Sequence, residues 1–357
     1  MKKQLALYCH WPYCLSKCPY CDFYSMPYRA FDEAAFLNRY RAEIEALPAK
    51  REITSIFFGG GTPSLMPLTL MEGILNAVYA RFSVAQDVEI SMEANPDAID
   101  QEKMMAFKKL GINRLSLGVQ ALSDEALHFL GRRHTAETAR RRIKEASAVF
   151  DIVSIDLMYA RPGQTVLMWE TELKEALSFN LPHYSLYQLT IEDKTPFARR
   201  SLTMPDDETA RDLFLRTINQ MDQAGVPLYE VSNFARPGFE CRHNQAYWRS
   251  QDYAGIGPSA HGRIGLTATE NPRDVAAWLA GVRCEIELTP LEKEEERLLM
   301  GLRQKEGIEI KGLSTTAIQS AVQKGWIVRK GNRICPTDDG LVMLNTLILD
   351  LWPQDPA

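Results

Sequence analysis

What the chain lacks narrows it first. No apolar run approaches the roughly 20 residues that a membrane-spanning helix needs. There is no excess of positive charge either. The formal net charge is −5, so no global electrostatic case for nucleic acid arises. The start, Met1-Lys2-Lys3-Gln4-Leu5, has no secretory h-region. A cytosolic protein is expected, with peripheral contact at the inner face of a membrane left open. Seven cysteines in 357 residues make an implausible disulfide scaffold. A structural zinc site wants four ligands, commonly as two pairs, and no second Cys-x-x-Cys pair exists. Apolar residues at 45% and charged residues at 24% are ordinary for a folded globular chain. The length allows one barrel-sized domain plus something smaller.

What is present is concentrated. Cys14, Cys18 and Cys21 stand as Cys-x-x-x-Cys-x-x-Cys. Three thiolates so close in sequence suit three corners of an iron–sulfur cube and leave the fourth iron without a protein ligand. An open iron of that kind accepts a small chelating molecule with an amine and a carboxylate. On spacing alone, zinc and coincidence remain alternatives. Cys9 reads differently: on a strand over 5–10 it falls on the face of Leu5 and Leu7, a small hydrophobe in the core. Tyr8 and His10 fall on the opposite face, toward a polar interior. Cys284 and Cys335 read as ordinary free thiols of a reducing compartment.

Strand-like runs at 5–10, 55–58, 88–92, 114–118, 152–158 and 184–189 alternate with helical periods at 31–46, 70–82, 102–110, 124–130 and 136–148. Six strands with helical crossovers predict an α/β fold, an open parallel (β/α)6 partial barrel. Ligands in such folds sit at the carboxyl ends of strands, and the chemically unusual residues fall there. The second strand ends in Gly59-Gly60-Gly61-Thr62-Pro63, the third in Glu93-Ala94-Asn95-Pro96, and the fourth in Gly118-Val119-Gln120. The fifth carries Asp156 in an apolar run, where a lone acid must find a partner or face a site. A glycine triplet alone also suits a tight turn, and Glu93 alone a solvated loop.

The segment from Tyr8 to Phe23, Tyr-Cys-His-Trp-Pro-Tyr-Cys-Leu-Ser-Lys-Cys-Pro-Tyr-Cys-Asp-Phe, resembles the radical S-adenosylmethionine (radical-SAM) superfamily. The branch it resembles contains oxygen-independent coproporphyrinogen III oxidase and the HemW-type haem chaperones. The resemblance implies a [4Fe-4S] cluster on Cys14, Cys18 and Cys21, reduced by an external electron donor. It also implies S-adenosylmethionine (SAM) held by Tyr8, Tyr20, Gly60, Gly61, Thr62, Glu93, Gln120, Arg132 and Asp156. In this family the cluster's electron enters the SAM sulfonium. Three features favour the chaperone branch. Phe23 stands where the oxidases carry a further cysteine. The N-terminal extension that helps the oxidase enclose its substrate is missing. Third, Arg242-His243-Asn244-Gln245-Ala246-Tyr247-Trp248 matches the chaperones' His-Asn-x-x-Tyr-Trp motif, which implies haem at His243. Arg236, Arg242 and Arg249 lie near enough in sequence to meet propionates, and Cys241 is a further candidate ligand. Local chemistry alone favours an aromatic loop packed on the barrel, with His243 satisfying a backbone carbonyl, and only the resemblance lifts the haem reading above it.

Three regions are expected: a barrel with the cluster and SAM sites over 1–200, an extension with the aromatic motif over 201–289, and a winged-helix-like α+β domain over 290–357. Within the extension, 253–262 reads as glycine-rich turns over the barrel mouth. Thr289-Pro290-Leu291-Glu292 reads as a helix start. Acidic residues slightly outnumber basic ones over 290–357, so the last domain reads as a lid or partner surface rather than a DNA reader. The reading as a whole is a haem carrier that delivers to acceptor proteins, possible acceptors including membrane-bound ones. The competing reading is a coproporphyrinogen oxidase-like enzyme, and a homodimer is left open.

Overall fold

The six expected strands all form in the computed structural model, which describes residues 3–352. They are β1 (Lys3–Trp11), β2 (Arg51–Gly60), β3 (Ser83–Ala94), β4 (Arg114–Gln120), β5 (Ile152–Tyr159) and β6 (His183–Gln188), each paired in parallel with the next. Between them run α1 (Glu33–Ala46), α2 (Leu68–Arg81), α3 (Gln101–Lys109), α4 (Asp124–Phe129), α5 (Ala136–Val149) and α6 (Val166–Ser178). Their starts are set by side-chain caps. Asp32, Asp100, Ser123, Thr135 and Thr165 each accept a backbone N–H of the first turn. Met1, Lys2 and the sequence reading of the extreme N-terminus lie outside the described residues, as do residues 353–357.

The strands read as apolar runs because a parallel sheet under helices is buried on both faces. On β1, Leu5, Leu7, Cys9 and Trp11 are fully buried and join one core with Phe36, Tyr40 and Ile44 of α1. Cys9 is thus the core residue its register implied. The other face of β1 brings Tyr8 and His10 into the barrel interior.

The extension differs from expectation. After α7 (Asp207–Gln223), the short strands β7 (Leu228–Glu230) and β8 (Asn233–Ala235) continue the sheet antiparallel beyond β6. Helix α8 (Arg242–Trp248) then crosses, and β9 (Tyr253–Ile256) enters the sheet parallel to β1, with Tyr8 opposite Gly255. The glycine-rich stretch is therefore partly a strand, not only turns. A side chain at Gly255 would meet the carbonyl oxygen of His261 at 2.2 Å, so glycine there serves close approach of a neighbouring strand. β10 (His261–Ile264), β11 (Thr267–Glu270) and, after helix α9 (Val275–Leu279), β12 (Cys284–Glu287) complete a twelve-stranded sheet on that edge.

Buried Glu43 on α1 pins this edge. Its carboxylate accepts the Gly257 N–H at 2.8 Å, Asn271 Nδ2 at 2.7 Å and Trp278 Nε1 at 3.1 Å. A buried carboxylate is tolerated only with such partners.

The last unit is α+β, as expected. Thr289 and Glu292 form a reciprocal capping box at the start of α10 (Pro290–Gly301). β13 (Ile308–Glu309), β14 (Ile327–Lys330) and β15 (Arg333–Pro336) form a separate antiparallel sheet with β15 in the middle. Helices α11 (Thr315–Gln323), α12 (Asp338–Val342) and α13 (Leu344–Asp350) pack beside it. The hairpin turn falls at Gly331-Asn332, with Lys330 paired to Arg333. The unit is stitched to the large sheet by the Val231 N–H, which donates to the Arg303 carbonyl at 2.9 Å. Among the described residues no helix is long and apolar enough to cross a membrane.

Candidate functional site

The loop after β1 carries the three cysteines and is closed at its base by backbone. The Met26 N–H donates to the Pro12 carbonyl at 2.8 Å, and the Tyr28 N–H to that of Cys14 at 2.7 Å. Cys14, Cys18 and Cys21 line one cavity of about 370 Å³ at the carboxyl ends of the barrel strands. Tyr20, Gly60, Gly61, Thr62, Glu93, Gln120, Arg132 and Asp156 line it with them. Eleven residues singled out in sequence thus converge on one hollow.

A polar chain joins two of the cysteines. Thr62 Oγ1 donates to Cys14 Sγ at 3.4 Å and accepts from Asn95 Nδ2 at 2.9 Å. Arg132 Nη2 donates to Asn95 Oδ1 at 2.5 Å and to the Gly118 carbonyl at 2.8 Å, while Nη1 reaches Cys18 Sγ at 3.3 Å. Asn95 was quoted in the third strand end but given no role; the signal was a polar amide directly before Pro96. Arg132 is among the residues the resemblance assigns to SAM. Here its two terminal nitrogens hold a thiol, an amide and a carbonyl.

Two half-buried acids face the same cavity. Burial, then the nearby Asp156, pushes Glu93 up to about 8; burial pushes Asp156 up to about 6. Glu93 accepts the Gly60 N–H at 3.2 Å, and Asp156 accepts from Ser116 Oγ at 2.9 Å. Gly60 has φ +107°, and a Cβ there would strike the His10 ring. Gln120 holds φ +68° without being glycine, backbone strain of a kind that gathers at functional sites.

The donor set fits an iron–sulfur cluster. Three thiols share a cavity, and two of them receive hydrogen bonds of the sort that tune cluster sulfurs. Burial raises the Cys14 thiol and pushes that of Cys21 up to about 11, so loading a metal there must displace protons. Among the described residues no three His, Cys, Asp or Glu side chains converge closely enough to hold a single ion. Ligands on three corners of a cube have no need to.

Two expected contacts lie elsewhere. Tyr8 lines a second cavity of about 390 Å³, which shares Gly60, Glu93 and Phe23 with the first. Its hydroxyl is 3.1 Å from His10 Nδ1. His243 lines neither cavity. It is buried on α8 with Nδ1 3.0 Å from Ser55 Oγ and Nε2 2.8 Å from the Tyr247 hydroxyl. Burial pushes its pKa down to about 3. Both ring nitrogens are thus engaged by side chains of this protein, and Tyr247 lines the second cavity.

The neighbouring groups are engaged within the chain as well. Cys241 is a buried thiol pushed up to about 12, and it donates to Glu89 Oε1 at 3.4 Å. Arg236 binds Asn180, Arg242 binds Asp87 at 2.8 Å, and Arg249 binds Glu306 at 2.7 Å. None of the three lines the second cavity.

Comparison with known proteins agrees with this geometry. The profile of the radical SAM superfamily matches residues 8–176. The chain is 36% identical to the heme chaperone HemW of Escherichia coli, over 96% of this chain and 97% of that protein. It is 38% identical to the mitochondrial radical S-adenosyl methionine domain-containing protein 1 of Bos taurus, over 86% of this chain and 74% of that one. The solved structure of the E. coli coproporphyrinogen III oxidase HemN superposes with a TM-score of 0.83 at 21% identity, covering 98% of this chain and 90% of that one. That likeness speaks to the fold.

Proposed function

Because the chain belongs to the radical-SAM superfamily and, within it, to the family of HemW heme chaperones, we propose that it is a haem carrier. It binds one [4Fe-4S] cluster and SAM, and hands haem to acceptor proteins, membrane-bound ones included, from the cytoplasmic side. The observation that carries this reading is the pairing of two cavities: one lined by three cysteines and two half-buried acids, the other by aromatic rings, sharing Glu93 and Gly60 as a common wall.

Cys14, Cys18 and Cys21 hold the cluster, which when bound supplies a reducible iron with one position free of protein ligand. Arg132 and Thr62 keep two of the ligand sulfurs in place. Glu93, in a wall of low polarity, is matched to a ligand ammonium, and its backbone partner Gly60 allows that group to approach closely. Asp156, held by Ser116, is placed for ribose hydroxyls, and Tyr20, Gly61 and Gln120 fill out the same wall. His243 acts through Tyr247, holding that phenol at the aromatic cavity. The three regions 1–200, 201–289 and 290–357 then divide as cofactor barrel, aromatic extension and partner-facing unit.

The competing activity is oxidative decarboxylation of coproporphyrinogen III. Phe23, 65% exposed beside Cys21, stands where those enzymes carry a further cysteine. Incubation of the reconstituted protein with SAM, a reductant and coproporphyrinogen III is expected to leave the propionates intact. Release of carbon dioxide with formation of protoporphyrinogen would hand the reading to the oxidase.

A further inference from the structure

We propose that the aromatic cavity beside the cysteine cavity is the seat of the haem, and that His261 is this chain's ligand to its iron. This rests on the carrier reading and says where on the chain it is carried out. The cavity walls include Tyr8, Tyr24, Tyr247, Tyr253 and Met300, flat rings and a soft side chain suited to a porphyrin face.

Three histidines stand in or against this cavity, and they differ in what their nitrogens do. His10 has Nδ1 3.1 Å from the Tyr8 hydroxyl and Nε2 3.1 Å from the Tyr24 carbonyl. His243 is engaged at both nitrogens, as described above. His261 is half exposed, and its ion-pair partner Glu270 lies 3.9 Å from Nε2, beyond hydrogen-bond distance. It therefore keeps a nitrogen lone pair for a metal. It also has a carboxylate at hand of the kind a metal-bound imidazole uses to fix its tautomer.

The backbone holds His261 in place. It opens β10 and pairs with Glu270 across β11, and the turn before it passes through Ser259 at φ +64°, a strained non-glycine residue on the cavity wall. Met300, from the C-terminal unit's first helix, brings a thioether to the same cavity. Histidine and methionine are both side chains that haem iron accepts, and Met300 would tie the last unit to haem occupancy.

The test uses the full-length protein with its cluster reconstituted under anaerobic conditions. Ferric haem is titrated into the wild type, His261→Ala, His261→Gln and His243→Ala, with the Soret band followed and cluster absorbance, iron content and circular dichroism as controls. Both His261 variants are expected to bind haem at least tenfold more weakly and with a shifted Soret maximum. Cluster and fold should be unchanged, and added imidazole should restore the wild-type spectrum. His243→Ala should weaken binding but keep the Soret position. Wild-type affinity and spectrum in both His261 variants would overturn the assignment alone, and a Soret shift confined to His243→Ala would move the ligand there. Failure of the wild type to bind haem saturably would overturn the carrier reading together with it.

Discussion

Anaerobically reconstituted Cys18→Ser protein is expected to hold far less than the about four irons per chain that a [4Fe-4S] cluster brings, and to lose the brown absorbance of the wild type. A serine hydroxyl is a poor replacement for a thiolate on iron, and neither Cys9 nor Cys241 can substitute. Cys9 is buried on the core face of β1, and Cys241 is committed to Glu89 far along the chain. The loss should not come from unfolding. Arg132 gives up its contact to Cys18 but keeps Asn95 and Gly118, so the metal-free variant should melt within about 1 kcal/mol of the metal-free wild type. Iron and absorbance retained at wild-type levels would contradict the ligand set. Zinc in place of iron in the purified wild type would contradict the cluster itself.

Glu93→Gln should act on pH dependence and on ligand affinity in opposite senses. The folded chain holds the Glu93 carboxyl at about 8, far above an exposed glutamate. The folded state therefore binds this proton more tightly than the unfolded chain does. The stability it contributes is complete below the ordinary carboxylate value and is lost as pH rises toward 8, at up to ~1.4 kcal/mol per pH unit. Asp156, raised to about 6, adds to the loss in the lower part of that window. Without bound ligand, Glu93→Gln should thus be more stable than the wild type near pH 8 and have a flatter melting profile between pH 5 and 8. With SAM the order reverses. A bound cation favours the ionised form, so the wild type should release a proton on binding near pH 7, seen as a buffer-dependent binding enthalpy. The variant should release none from this site and bind on the order of tenfold to a hundredfold more weakly, as for a lost charge-assisted hydrogen bond. Parallel melting profiles, or equal affinities, would remove Glu93 from the site.

The parts of the fold legible in sequence were those with strong local signals. Buried parallel strands leave apolar runs, and Thr289-Pro290-Leu291-Glu292 is a capping box that forms as written. The strand-end rule gathered residues scattered from Cys14 to Asp156 into one cavity. What escaped had no local signal. β9 was hidden because Gly255 and Gly257 look like turn residues, whereas Gly255 is needed for the close approach of β10. β7 and β8 are three residues each, too short for periodicity. Side-chain direction was illegible at Arg132, which turns to Cys18 and Asn95, and at His243, whose nitrogens are taken by Ser55 and Tyr247, distant and near in sequence. Pairings between strands and helices far apart in the chain decide such matters, and one sequence does not display them.

Haem titration of the reconstituted wild-type protein, followed by Soret absorbance, bears most directly on the account. The carrier reading predicts saturation near about one haem per chain with the cluster absorbance intact throughout, since the two cavities share a wall but Cys14, Cys18 and Cys21 line only the first. Absence of saturable binding, or loss of the cluster in step with haem uptake, would contradict it.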